Sequence, residues 1–177
     1  MRIDINETTY LRLLELSDAQ EMFLLIDSQR EYLGEWLPFI PFTTGPADSE
    51  AFIRSVVEAP AERRELVFAI ITDGKFAGTI GFKDTDMGNL RSEIGYWLGE
   101  QHQGSGIITT AVKKMCDYAF NERGIKRMQI KCAVGNYKSS NIPKRLGFIF
   151  EGVERAGERK ADGSFHDIEV YSKLAGD

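Results

Sequence analysis

The chain has 177 residues, a length that fits one domain with a complete hydrophobic core. Its 42% hydrophobic and 28% charged residues exclude disordered, collagen-like and fibrous proteins. The formal net charge of −5 argues against broad binding to nucleic acid or to anionic membranes. We therefore expect a single domain over residues 1–177, with no direct nucleic-acid partner and no membrane partner.

The start of the chain, its apolar runs and its cysteines indicate the cellular compartment to expect. No apolar segment follows the first residues, and the longest apolar run, residues 66–71, is far too short to span a bilayer. Cys116 and Cys132 are widely separated, and His102 and His166 are isolated. These observations predict a cytoplasmic protein with buried free thiols, no metal site and no disulfide framework.

The first third of the chain predicts one strand and two helices. Alternating apolar residues indicate a strand over 8–14. Ser17-Asp18 is typical of a helix start, and the helix extends to about residue 31. The Pro-punctuated aromatic segment 35–42 predicts a shaped loop, and 48–59 predicts a second helix.

The remaining elements alternate between strands and helices. Strands are predicted over 65–71, 75–82 and 91–98, and the first two are joined by the hairpin turn signal Asp73-Gly74. A long helix over 104–122, a strand over 125–134 and a short helix over 139–146 follow. A closing hairpin pairs residues 148–155 with 165–173. This order predicts an α/β (α+β) fold: a mixed, mostly antiparallel sheet with helices on both faces.

The segment 101–109 carries the strongest chemical signal. A predicted strand enters a turn with Gly104 and Gly106, and a long helix follows at once. Such a turn directs unpaired backbone N–H groups and the positive end of the helix dipole at one point. Phosphate or pyrophosphate is the natural ligand there, because glycine lets the backbone approach closely.

Two common phosphate motifs do not fit this segment. A P-loop requires a lysine that is missing, and the dinucleotide fingerprint requires a glycine where Thr109 stands. A GxG pair alone is weak, so a plain helix start with small residues remains an alternative.

Four motifs in order resemble the GNAT acyl-CoA N-acetyltransferases, in particular their RimJ/RimL branch. The resemblance covers essentially the whole chain, with departures at Pro143-Lys144-Arg145 and Thr109-Thr110-Ala111. The motifs are the loop Trp36-Leu37-Pro38-Phe39, the strand Gly95-Tyr96-Trp97-Leu98, the signature Gln101-x-x-Gly104-x-Gly106, and Asn136-x-x-Ser139 followed by Arg145-Leu146-Gly147-Phe148.

The resemblance implies a GNAT fold and acetyl-CoA as co-substrate, with no metal. Its pantetheine arm would pair with the strand edge at 96–98, and a backbone N–H near Leu98 would serve as an oxyanion hole. The cofactor-binding residues it implies are Trp97, Leu98, Gln101, Gln103, Gly104, Ser105, Gly106, Ile107, Thr109, Asn136 and Arg145.

The resemblance also suggests catalytic residues. Glu93 is the expected base, acting directly or through water, and the alternative is an exposed strand carboxylate. Ser139 is the expected acid for the leaving thiolate, and the alternative is the N-cap of the short helix. Tyr171 is a second candidate for the acid.

The fraction of an amine that is neutral at pH 7 helps to predict which acceptor is used. At pH 7 roughly a tenth of an α-amino group is neutral, against well under one part in a thousand for a lysine amine. A weak general base therefore suits an α-amino group better than a lysine side chain. The N-terminus of a ribosomal protein is accordingly the expected acceptor, with Trp36 and Phe39 in an acceptor groove. A small amine (polyamine, amino-acid derivative or aminoglycoside) and a non-catalytic acyl-CoA-binding module are the alternatives. The edge of the closing hairpin also allows a homodimer.

Overall fold

A computed structural model describes residues 1–61 and 64–177. Within these ranges the chain forms eight strands and five α-helices. In chain order they are β1 (Arg2–Asp4), β2 (Thr9–Leu13), α1 (Ala19–Ser28), α2 (Arg30–Gly34), α3 (Pro46–Val57), β3 (Val67–Thr72), β4 (Lys75–Asp86), β5 (Arg91–Leu98), α4 (Ile107–Asn121), β6 (Arg127–Ala133), α5 (Tyr137–Arg145), β7 (Ile149–Arg159) and β8 (Phe165–Leu174).

The sheet follows the order β1-β2-β3-β4-β5-β6-β8-β7. Strands β5 and β6 pair in parallel, starting at Arg91 opposite Arg127. The pairs β1–β2, β2–β3, β3–β4, β6–β8 and β7–β8 are antiparallel. The predicted mixed, mostly antiparallel sheet is confirmed.

Local chain chemistry explains where the elements begin and end. Asp73 and Gly74 both have positive φ, at 51° and 75°, and form the predicted hairpin turn between β3 and β4. Helix α4 begins at Ile107, not at residue 104, because Gly104 and Gly106 adopt left-handed backbone angles that no α-helix accepts.

Three further features differ from the sequence prediction. The short strand β1 was not expected, and the first helix is broken at Gln29 into α1 and α2. Strands β4 and β7 also extend beyond their predicted ends, to Asp86 and Arg159.

The chain divides into two compact units, each built from two segments. The first unit comprises Met1–Gly81 and Tyr96–Ile107. Its core is an apolar cluster contributed by α1, α2, α3, β3 and β4, with the side chain of Trp97 packed against it. The ring of Trp97 lies 6.0 Å from that of Phe76.

The second unit comprises Phe82–Gly95 and Ile108–Asp177. Helix α4 buries Ala111, Met115 and Ala119, which recur every four residues and so form one face of the helix. Met128 and Ile130 of β6 are fully buried in the same unit. Alternation along β6 directs its other residues, including Gln129, to the opposite face of the sheet.

Candidate functional site

The glycine loop of the first unit lies between β5 and α4. A 3-10 turn over Glu100–His102 follows β5, and the loop then passes through Gly104, Ser105 and Gly106. The Ser105 hydroxyl donates to the carbonyl of His102 at 2.9 Å, which closes the loop on itself. Among the described residues, the amides of positions 104–106 donate to no backbone carbonyl. They are therefore available to a ligand.

The two glycines have a backbone reason to be glycine. Gly104 and Gly106 have φ of +77° and +76°, where a side chain is strained. A Cβ at either position would meet no protein atom within 4 Å, so internal packing does not demand glycine there. The space above the loop is open to a ligand. Free amides and the start of a 15-residue helix suit a phosphate in that space.

The end of β5 is held closely against β4 within the first unit. Leu98 is buried, and the Gly99 amide donates to the Ala77 carbonyl at 2.8 Å. A Cβ on Gly78 would lie only 2.2 Å from the carbonyl oxygen of Trp97. The indole of Trp97 packs in the apolar core, so its backbone is the part best placed to meet a cofactor.

The predicted acceptor residues lie in the 35–42 segment of the first unit. Trp36 is half-buried, and Phe39 is 41% exposed. The Arg30 guanidinium fixes this segment, donating to the carbonyls of Ile40 at 3.0 Å and Thr43 at 2.6 Å. The segment is thus a shaped loop, as predicted, with an exposed aromatic surface.

Glu93 is buried in the second unit, not exposed. Only 5% of the residue is accessible, and its carboxylate lies 2.7 Å from Lys83 Nζ. Burial lowers the pKa of Lys83, but the charge and hydrogen bond of Glu93 outweigh it, so the pKa lies above its usual value. Glu158 adds to that rise. The alternative of an exposed strand carboxylate is therefore wrong.

Glu93 belongs to a chain of polar side chains that crosses the sheet of the second unit. The side-chain Nε2 of Gln129 donates to the Glu93 carboxylate at 3.3 Å, and its Oε1 accepts from the Arg127 guanidinium at 3.1 Å. Arg127 donates to Glu151 at 2.7 Å. Sequence reasoning missed Lys83 and Gln129. Gln129 lies opposite Glu93 in the parallel pair, a register that alternation along β6 does not reveal.

The N-cap of the short helix α5 is Asn136 rather than Ser139. Asn136 is the N-cap of α5, and its Oδ1 accepts from the Ser139 amide at 3.1 Å. The alternative of Ser139 as N-cap is therefore wrong. The Ser139 hydroxyl lies 3.3 Å from the thiol sulfur of buried Cys132. Arg145 lies exposed in the last turn of α5.

Tyr171 is a poor second candidate for the acid. It is 1% exposed, and its hydroxyl donates to Glu169 at 2.7 Å. Burial and the Glu169 hydrogen bond raise the pKa of Tyr171 above its usual value. Its proton is therefore engaged in the hydrogen bond to Glu169.

The two units share the predicted residues between them. The first unit carries Trp36, Phe39, Trp97, Leu98, Gln101, Gln103, Gly104, Ser105, Gly106 and Ile107. The second unit carries Glu93, Thr109, Asn136, Ser139 and Arg145. Among the described residues, no group of three or more His, Cys, Asp or Glu is placed to hold a metal ion. No helix in those ranges is long and apolar enough to cross a membrane.

Comparison with known proteins decides the family. The profile of the acetyltransferase (GNAT) domain matches residues 9–149. The chain belongs to the GNAT acetyltransferase family. Within it, the chain is similar to the Bacillus subtilis (strain 168) protein named "Putative ribosomal N-acetyltransferase YdaF", at 36% identity over 96% of this chain and 93% of that protein.

Two further relatives resemble this GNAT enzyme over nearly its whole length. It is 27% identical to the ribosomal-protein-serine acetyltransferase of Escherichia coli (strain K12), over 97% of this chain and 96% of that one. The crystal structure of the microcin C7 self-immunity acetyltransferase MccE, in complex with acetyl-CoA and AMP, matches with a TM-score of 0.89 and 33% identity. That match covers 96% of this chain and 94% of the other.

These findings confirm the predicted fold, the acetyl-transfer activity and acetyl-CoA as co-substrate. The glycine loop is suited to that molecule, because its pyrophosphate requires unpaired donors and open space above the backbone.

Proposed function

We propose that this enzyme acetylates the N-terminal α-amino group of a ribosomal protein, by direct transfer in a ternary complex. Acetyl-CoA supplies the acetyl group as a thioester. The observation that carries the proposal is the full-length similarity to two relatives named for ribosomal-protein acetylation. A ribosomal acceptor would place the reaction in the cytoplasm. We also propose that residues 1–177 form one catalytic domain.

We assign the phosphates of acetyl-CoA to the backbone of the glycine loop. The free amides of positions 104–106 and the open space above them support this assignment. The pantetheine arm would lie along the backbone of Trp97 and Leu98. The other assigned residues are Gln101, Gln103, Ser105, Ile107, Thr109, Asn136 and Arg145.

Glu93 is the proposed base. Its carboxylate would accept a proton from the acceptor amine, directly or through water, as the nitrogen attacks the thioester carbon. The Leu98 N–H would donate to the oxyanion that forms. The contacts with Lys83 and Gln129 support this role, because they fix the position of the carboxylate.

Ser139 is the proposed acid. Its hydroxyl would donate to the sulfur that leaves, and water would restore the proton afterwards. The start of α5 supports this role, because the Asn136 cap fixes the backbone of Ser139 while its hydroxyl stays out of the capping bond.

An assay of amine acceptors tests the proposal. The protein is mixed with acetyl-CoA and, in separate reactions, a ribosomal-protein extract, peptides with N-terminal Ser or Ala, a Lys peptide and spermidine. We expect release of the CoA thiol with the extract and the α-amine peptides, and N-terminal acetylation by mass spectrometry. Release with spermidine alone would refute the ribosomal acceptor.

Variants of the proposed base sharpen this assay. Glu93→Gln keeps the shape and the hydrogen bond from Gln129 but removes the charge. We expect kcat to fall by about 10²-fold or more, with acetyl-CoA affinity little changed. Glu154→Gln is a matched control, because Glu154 also pairs with a lysine of the same sheet, Lys131, at 3.0 Å. Equal losses in both variants would contradict the assignment.

A small amine is the second candidate acceptor. The similarity to MccE supports it, because that self-immunity acetyltransferase, crystallised with acetyl-CoA and AMP, is not named for a ribosomal acceptor. Binding of acetyl-CoA without turnover of any amine would instead indicate a non-catalytic acyl-CoA-binding module.

We also propose a homodimer through the edge strand β7. Ile149, Phe150 and Val153 of this strand are 63%, 52% and 48% exposed. An edge with exposed apolar side chains is prone to pair with another strand. Light scattering during gel filtration tests this: a dimer mass that becomes monomeric in Phe150→Lys supports it, and a wild-type monomer refutes it.

A further inference from the structure

Gln29 connects the helices of the first unit to the turn before the glycine loop. It ends α1 and precedes α2, with φ of −137° and ψ of 30°. Its Oε1 accepts from the Glu100 amide at 2.9 Å, and its Nε2 donates to Gln101 Oε1. One side chain thus binds two successive residues about seventy positions further along the chain.

Tyr32 adds a second contact from the same helical face. It lies three residues after Gln29, and its hydroxyl accepts from Gln103 Nε2. Burial, followed by the charges of Glu100 and Glu35, raises the pKa of Tyr32, so the hydroxyl stays protonated. Together Gln29 and Tyr32 contact three of the four residues from 100 to 103.

Within the described part of the chain, three local bonds hold this turn. The His102 amide donates to the Gly99 carbonyl, the Gln103 amide to the Glu100 carbonyl, and the Ser105 hydroxyl to the His102 carbonyl. Gly104 follows at once. The direction in which the glycine-loop amides point therefore depends on where α2 holds this turn.

The next residue, Arg30, holds the aromatic 35–42 segment through its bonds to the carbonyls of Ile40 and Thr43. Two consecutive residues of one helix junction thus bind the proposed cofactor loop and the proposed acceptor loop. A shift of this junction would therefore act on both segments.

We propose that Gln29 and Tyr32 are positioning residues that link acetyl-CoA binding at the glycine loop to the conformation of the aromatic 35–42 segment. The inference rests on the proposed function in taking residues 104–106 as the phosphate-binding loop. The linkage is reciprocal. If acetyl-CoA raises the affinity for the acceptor by some factor, the acceptor raises the affinity for acetyl-CoA by the same factor. The enzyme therefore prepares the acceptor loop as acetyl-CoA binds.

Binding of CoA to matched variants tests the first half of the proposal. Gln29→Ala should weaken CoA binding about tenfold by calorimetry, and Tyr32→Phe about threefold, because they remove two hydrogen bonds and one. Gln20→Ala is the control, since Gln20 is an exposed glutamine on the same helix α1. Equal affinity in Gln29→Ala and Gln20→Ala would overturn the inference.

Hydrogen exchange tests the second half. Saturating CoA should slow amide exchange over residues 35–43 in the wild type and in Gln20→Ala, but not in Gln29→Ala. Undiminished protection in Gln29→Ala would refute the link. Gly104→Asp separates this from failure of the proposed function: if Gly104→Asp still binds CoA, the loop assignment itself is wrong, whatever Gln29→Ala does.

Discussion

Gly78 of β4 is a position where a single methyl group should disturb both stability and cofactor binding. A Cβ there would lie 2.2 Å from the Trp97 carbonyl oxygen and 2.9 Å from the Cα of Leu98. Both neighbours are backbone, so no side chain can rotate away. Gly78→Ala should force β4 away from the end of β5, along which we place the pantetheine arm.

The size of the effect follows from three contributions. The φ of +155° costs an alanine about 1–3 kcal/mol, and overpacking adds about 1–3 kcal/mol. Alanine also makes the unfolded chain less flexible than glycine does, which offsets about 0.4–1 kcal/mol of this destabilisation. We expect a net loss of about 3 kcal/mol in the free energy of unfolding. For a chain of this length that lowers Tm by about 6–12 °C.

Urea unfolding and steady-state kinetics measure the two consequences. Gly74→Ala is the control, because Gly74 also has positive φ but no neighbour within 4 Å of its Cβ position. That variant should lose only about 1–2 kcal/mol. Gly78→Ala should also raise the KM for acetyl-CoA, whereas Gly74→Ala should not. A Gly78→Ala loss no larger than that of Gly74→Ala would show that the close backbone contact yields freely and would refute the reasoning.

Two further predictions concern the second unit. Ser139→Ala should lower kcat at least tenfold with CoA affinity retained, whereas Ser164→Ala on the distant hairpin turn should leave kcat unchanged; equal kcat in both would exclude Ser139 as the acid. The hydrogen bond from Arg127, with that of Ser172, lowers the pKa of Glu151 to about 2. Since the unfolded value is about 4.3, this pair stabilises the fold above that pH and loses its contribution as pH falls towards 2. Because Glu151 is 38% exposed, the contribution stays within about 1 kcal/mol. Urea unfolding measured from pH 7 to pH 3 should show a smaller loss of unfolding free energy in Arg127→Met than in the wild type. The same loss in both proteins would contradict this contribution of the pair.

Elements controlled by local chemistry were predictable from the sequence. Strand β5 has its predicted ends, Arg91 and Leu98, because turn residues bound it on both sides. The Asp73-Gly74 turn was likewise readable, because few residues accept positive φ twice in succession. The glycine loop was located for the same reason, although the helix after it starts three residues later than predicted.

Features that depend on distant residues were not predictable in this way. The break at Gln29 accompanies side-chain bonds to residues 100 and 101, which no local pattern reveals. Strand β1 has three residues and forms only against β2. The burial of Glu93 depends on Lys83 and Gln129, which adjacent strands bring to it. Parallel neighbours are remote in sequence, so alternation alone could not settle its environment.

The composition of the glycine loop has a consequence for an enzyme that handles a reactive thioester. Residues 99–109 contain no lysine and no cysteine, and we assign their contact with phosphate to peptide amides. Peptide nitrogen is not nucleophilic, so these donors themselves cannot be acetylated by the thioester. Amide donors also carry no net charge. Binding through them should therefore depend less on ionic strength than binding through a cluster of lysines, and the enzyme should keep its cofactor affinity across a wide range of salt concentrations.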